Sequence, residues 1–255
     1  MLSRDKYFIG LAEKGKREDG RKLEEFRGIE IHTGVIEKAE GSALVKLGST
    51  QILVGIKMDV KEPFSDTPNE GVLMAGAELS PIASPLFEAG PPSEESIELA
   101  RVVDRGIRES HAIDLEKLCI TKGEKVWVVS VDIHVLDNGG NMLDAAALAS
   151  IAALLDTKMP KYEDEKVIST EKKGKLPVTC KPVAVTHIKI GNNLFVDPLA
   201  EEENAADARL TVTTKDDGNI SSLQKTGSKG LSLKEIEEIF DRAIKNGKEI
   251  RKLLK

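Results

Sequence analysis

Lys125–Asp156 reads KVWVVSVDIHVLDNGGNMLDAAALASIAALLD, and its two halves follow different periods. Over Lys125–Leu136 apolar residues alternate, so that Trp127, Val129, Val131, Ile133 and Val135 share one face of a strand. Asn138-Gly139-Gly140 then turns the chain into an Ala-rich segment, Asn141–Asp156, that is apolar almost all round. Such a helix has no solvent face and belongs inside a protein.

Upstream, Ser93 caps a helix with Glu94 and Glu95 in its first turn and Leu99, Val102, Val103 and Gly106 on its apolar face. Before it lie strand-like runs, Ile29–Ile36, Ala43–Leu47 and Gln51–Met58, the last two joined by a Gly48-Ser49-Thr50 hairpin, and a small-residue run, Leu73–Leu79. Val60–Asn69, with Pro63 and Pro68, reads as a loop, and Ser3 as the cap of a short opening helix. Downstream, Val183–Ile190, Leu194–Val196 and Ala208–Thr214 read as strands, and Ser232-Leu233-Lys234-Glu235 is a capping box that opens a long amphipathic helix. Strands followed by a helix, twice over, define an α+β fold of duplicated halves with mixed sheets. The expected organisation is an N-terminal helix and turn (1–25), a first domain (26–160), a polar linker (161–177) and a second domain (178–255).

A chain of 255 residues with 40% hydrophobic and 31% charged content carries enough apolar material for a core, which excludes wholesale disorder. No stretch reaches the roughly 18–20 apolar residues that span a bilayer, and the expected location is the cytoplasm, with no membrane partner. Cys119 and Cys180 stand alone, with neither CxxC spacing nor a paired His, so no zinc ribbon or disulfide framework is expected. The net charge of −6 argues against coating nucleic acid with the whole surface but leaves room for a local basic site.

Arg101, Arg105 and Arg108 fall within about 60° of one another on the Ser93 helix, opposite its apolar face. Two readings stand: a solvated face paired with Glu94, Glu98 and Asp104, or an anion site, which arginine forks suit. Asn138-Gly139-Gly140-Asn141 is either a phosphate cradle at a helix start or a cap satisfied by Asn141 itself, with Asp144 behind it. Asp197, Glu201, Glu202, Glu203 and Asp207 form an acidic stretch that suits Mg²⁺ or general-acid work, or simple solvation. His134 shares a strand face with Asp132, as a base and its orienter would. No GxSxG, HExxH, Walker loop or GxGxxG occurs.

Taken together and in order, Glu18-Asp19-Gly20-Arg21, Gly48-Ser49-Thr50, the helix Leu99–Arg108, Val135–Gly140 and Asp197…Glu202-Glu203 resemble the RNase PH family of phosphate-dependent 3′→5′ exoribonucleases. Pro63–Pro68 and Gly139–Ala145 are similar to the family's non-catalytic ring subunits in the archaeal exosome. The resemblance implies an RNase PH-like fold and a hexameric ring of three heterodimers with a catalytic RNase PH-like subunit. It further implies RNA-binding cap proteins, single-stranded RNA as ligand and no cofactor. Active members follow the glycine pair with Thr/Ser-Arg, where this chain has Asn141 and Met142, and place an aspartate where it has Arg209. Neither Met142 nor Arg209 can do that work, since methionine holds no phosphate and arginine stays protonated. A different register would offer Asp207 as the acid. The resemblance thus implies a catalytically silent chain whose Arg101, Arg105 and Arg108 face RNA. An active phosphorolytic ring of its own, or a scaffold without an RNA role, are the alternatives.

Overall fold

In the computed structural model, which describes residues 2–254 with side chains from residue 6 onward, helix α1 (Leu2–Glu13) is followed by β1 (Ile29–Thr33), β2 (Gly41–Leu47), β3 (Thr50–Lys61) and β4 (Val72–Leu79). Helix α2 (Glu94–Glu109), a 3-10 turn (Glu116–Leu118), β5 (Cys119–Thr121), β6 (Lys125–Asp137) and α3 (Met142–Asp156) complete the first half. A hairpin of β7 (Lys158–Glu163) and β8 (Lys166–Lys175) leads to β9 (Val183–Ile190), β10 (Asn193–Val196), α4 (Ala200–Asn204), β11 (Ala208–Thr214), β12 (Ile220–Thr226) and α5 (Leu233–Arg251). The side chain of Ser3, the expected cap, lies outside the described residues.

The first sheet runs β1-β2-β3-β6-β4 with β5 paired to β6, and it is mixed because β4 lies parallel to β6. The second runs β10-β9-β11-β12, antiparallel throughout. Helix α3 explains itself here: it packs on β2 and β3 on one side and on β9 on the other, so no face of it meets water. Its Leu143, Ala149, Ile151 and Leu154 join Val45, Val131, Val185 and Val212 in one apolar core that runs through both halves. Helix α2 lies against β4 and α3 and touches β12, and α5 covers β9 and β11.

Three expectations need correction. Most of segment 161–177, expected as a polar linker, is part of a hairpin, in which β7 and β8 pair across a turn whose Asp164 and Glu165 both take positive φ, 48° and 61°. Tyr162 and Val167 are packed against the core, and Tyr162 meets the Trp127 ring edge-on at 6.0 Å. The isolated charges of the segment hid that alternation. Asn141 is left-handed (φ 55°), and its side chain makes no capping bond to α3. The loop around Val60 begins later than expected, because β3 pairs with β6 as far as Lys61.

Candidate nucleic-acid interface

Ser93 caps α2, accepting a hydrogen bond from the Ser96 amide at 3.2 Å. Burial of Leu99, Val103 and Ile107 fixes which face the helix turns outward, so the arginines emerge together. They do not behave alike. Arg108 is tied to Asp104 one turn earlier at 2.8 and 3.0 Å and donates to the Leu73 carbonyl at 3.1 Å. The Asp104 hydrogen bond raises its pKa further. Arg105 donates to Gln224 Oε1 on β12 at 3.2 Å. Arg101 is exposed and, among the described residues, makes no hydrogen bond or ion pair. Arg101 and Arg105 line an open groove of about 640 Å³ with Glu94, Glu98 and Gln224. Of the expected partners, Asp104 holds Arg108, whereas among the described residues Glu94 and Glu98 make no bond to Arg101 or Arg105.

Glu98 is occupied elsewhere. It accepts from Arg209 Nη2 on β11 at 3.0 Å and from Gln224 Nε2 at 3.3 Å. Arg209 also donates through Nε to Thr226 Oγ1 at 3.1 Å and stands 4.0 Å from Glu203. Glu203 in turn accepts the Asn141 amide at 3.2 Å, so a carboxylate of the chain itself sits where the glycine pair would offer a phosphate its donors. Desolvation raises the Glu203 pKa, with Glu95 adding repulsion against the pull of Arg209. Gly139 and Gly140 serve packing: a Cβ on Gly140 (φ +94°) would stand 2.4 Å from the Ala200 nitrogen. Met142 is buried in the core. Asp207 points away, to the Gly191 amide at 3.0 Å and to Lys229 at 2.8 Å.

Asp197 and Glu202 are internal rather than solvated. Asp197 is fully buried and receives Arg27 through both oxygens (2.9 and 2.7 Å), Arg21 at 2.9 Å and the Asn141 side-chain amide at 2.8 Å. Burial works to raise its pKa, but Arg27 above all outweighs this and holds it below the ordinary value. Asp19 aims Arg21 by accepting its Nε at 2.6 Å. Arg17, with its side chain wholly shielded, binds Glu202 through Nε at 2.9 Å and lies over the Phe195 ring at 5.7 Å. Among the described residues no cluster of His, Cys, Asp or Glu has the arrangement to hold a metal ion. His134 turns to Glu78 on β4 at 3.3 Å rather than to Asp132, because the register sets those two side by side.

Sequence reading missed Arg17, Arg27 and Gln224 as site residues and set Glu98 against the arginines of its own helix rather than against Arg209 and Gln224. Their partners lie 100 or more positions away, beyond any local period; the one hint was three early arginines matched in charge by the late acids.

Residues 25–160 match domain 1 of the 3′ exoribonuclease family, RNase PH type, and residues 180–246 match domain 2. The chain belongs to that family. Within it, the chain is 52% identical over 254 residues to the exosome complex component Rrp42 of Archaeoglobus fulgidus, covering 100% of this chain and 96% of the relative. It is 55% identical over 252 residues to the Rrp42 of Pyrococcus horikoshii, covering 97% and 92%. A chain of the solved Archaeoglobus fulgidus exosome with RNA bound to the active site superposes with TM-score 0.93 and 51% identity over 99% of this chain and 98% of that one. Rice Rrp46, at 16% identity and TM-score 0.70, shares the fold.

Proposed function

We propose that this chain is a non-catalytic subunit of an archaeal-type exosome core. It pairs with a catalytic RNase PH-like subunit, three heterodimers forming a hexameric ring, and presents Arg101 and Arg105 to single-stranded RNA entering the partner's site for 3′→5′ phosphorolysis. RNA-binding cap proteins sit on the ring, and the assembly works in the cytoplasm. No helix among the described residues is long and apolar enough to cross a membrane. One observation carries the silent reading: Arg209, where active members keep an acid, is paired to Glu98, while Glu203 occupies the Asn141 amide at the start of α3. A phosphate entering there would meet carboxylates, and Met142 offers it nothing.

The test is phosphorolysis of labelled oligo(A) with inorganic phosphate, by this chain alone and with a catalytic ring partner. Silence alone and activity with the partner support the reading. Nucleoside diphosphate release by the isolated chain overturns it in favour of an active ring of its own.

A further inference from the structure

We infer that Gln224 is a positioning residue for RNA binding, the middle of a relay Arg209–Glu98–Gln224–Arg105 that sets one RNA-facing arginine from the far half of the molecule. The inference rests on the proposed RNA-facing role of Arg105.

Both ends of the Gln224 amide are assigned by chemistry. Its Oε1 accepts from Arg105 Nη1 at 3.2 Å, and its Nε2 donates to Glu98 Oε1 at 3.3 Å. A flipped amide would set donor against donor and oxygen against carboxylate, so only one orientation satisfies both neighbours. Glu98 is fixed in its turn by Arg209 Nη2 at 3.0 Å on its other oxygen, Oε2. Arg209 is fixed by Thr226, one of the residues paired with β11 on β12. The anchor is therefore a sheet, and the moving part is the end of a long side chain that otherwise samples many rotamers. Pre-setting it lowers the ordering cost of binding a phosphate.

The relay also decides what Glu98 does with its charge. Glu98 lies three residues before Arg101 on α2, a spacing at which the two would pair on a free helix. With Arg209 and Gln224 holding both oxygens, Glu98 leaves Arg101 unpaired at the groove. The residue that stands in place of an acid thus keeps the arginine face open.

The experiment is a double-mutant cycle in the ring reconstituted with its catalytic partner, reading Kd, KM and kcat for labelled oligo(A). Gln224→Leu is expected to raise Kd and KM roughly two- to tenfold, the worth of one ordinary hydrogen bond, with kcat unchanged. Beside Arg105→Ala its effect should shrink to the part that releases a Glu98 oxygen towards Arg101. Glu98→Gln, which keeps an acceptor for Gln224, should lose less than Glu98→Ala, and this pair carries the test if Gln224→Leu fails to assemble. If Gln224→Leu has no effect while Arg105→Ala weakens binding, or if it acts in full beside Arg105→Ala, the relay is wrong. If Arg105→Ala itself leaves RNA binding unchanged, the RNA-facing reading falls and takes the relay with it.

Discussion

Arg209 on β11 and Glu98 on α2 lie 3.0 Å apart, joining a strand of the second half to a helix of the first. Around that arginine stand Glu95, Glu98 and Glu203, and both Glu95 and Glu203 have raised pKa values, burial being the main cause in each. Arg209→Asp, which puts in the acid that the proposed silent reading expects of active family members here, would add a fourth carboxylate and remove the arginine that pairs with Glu98. The expected result is no recovered phosphorolysis and a loss of stability of about 1–3 kcal/mol. Denaturant melts beside the oligo(A) assay check it, and turnover by this variant alone would contradict the silent reading.

Removing both groove arginines tests the surface. Arg101→Ala with Arg105→Ala should leave ring assembly intact, weaken oligo(A) binding, and reduce the slope of log affinity against log salt by about one per lost phosphate contact. Binding curves across a salt series that superpose on wild type would rule the face out.

Gly140 has the Pro198–Ala200 backbone where a side chain would go, and its φ of +94° suits no other residue well. Gly140→Ala should cost on the order of 3 kcal/mol, since the Pro198–Ala200 backbone would have to retreat. A thermal melt unchanged from wild type would show that this turn yields more easily than its contacts indicate.

Arg17→Met leaves Glu202 buried without its counter-charge, and an uncompensated buried carboxylate typically costs about 3–5 kcal/mol. The double variant with Glu202→Leu should recover much of that loss. Additive losses in chemical denaturation would mean that Arg17 acts through its other contacts, the Val196 and Asp197 carbonyls.

Asp144 gives a pH signature. Burial is the largest influence on it and, against hydrogen bonds from Thr186 and Asn141 and with Asp197 adding repulsion, raises its pKa from 3.8 to about 7. The folded state thus keeps this proton longer than the unfolded chain, so the stabilisation is complete below about pH 4 and is lost as pH rises through about 7. Asp144→Asn removes the titration while an amide in the same place can accept from Thr186 and Asn141 and donate to the Thr186 hydroxyl. Unfolding free energies measured from acid to neutral pH should fall more steeply for wild type than for the variant; parallel curves would count against a protonated Asp144.

The strands Val183–Ile190 and Ala208–Thr214 and the helices opened by Ser93 and Ser232 were legible because each carries its own signal, an alternation or a cap, within a dozen residues. The β7–β8 hairpin was not, since Lys161, Glu163 and Glu171 pair on its surface and mask the Tyr162 and Val167 face. β12 escaped for a related reason: it lies at the sheet edge and its Ser221, Ser222 and Gln224 give no apolar period. At the site, the helical spacing of Arg101 and Arg105 was readable, but that Arg101 alone of the three stays free depends on Asp104 taking Arg108, Gln224 taking Arg105 and Arg209 taking Glu98. Nor could any spacing reveal that Glu98 faces Arg209, a pairing that exists only once two sheets have stacked on α3.

The arginines at 17, 21 and 27 neutralise acids that the chain supplies some 170 or more residues later. The positive members of this lock lie near the start of the sequence and the negative ones at 197 and 202, each arginine matched to an acid of the other group. A recombinant that joins the front of this chain to the back of a relative lacking Asp197 or Glu202 would carry buried charge with no counterpart. The early arginines and the late acids therefore form one unit of exchange, and a swap that separates them is expected to destabilise the fold.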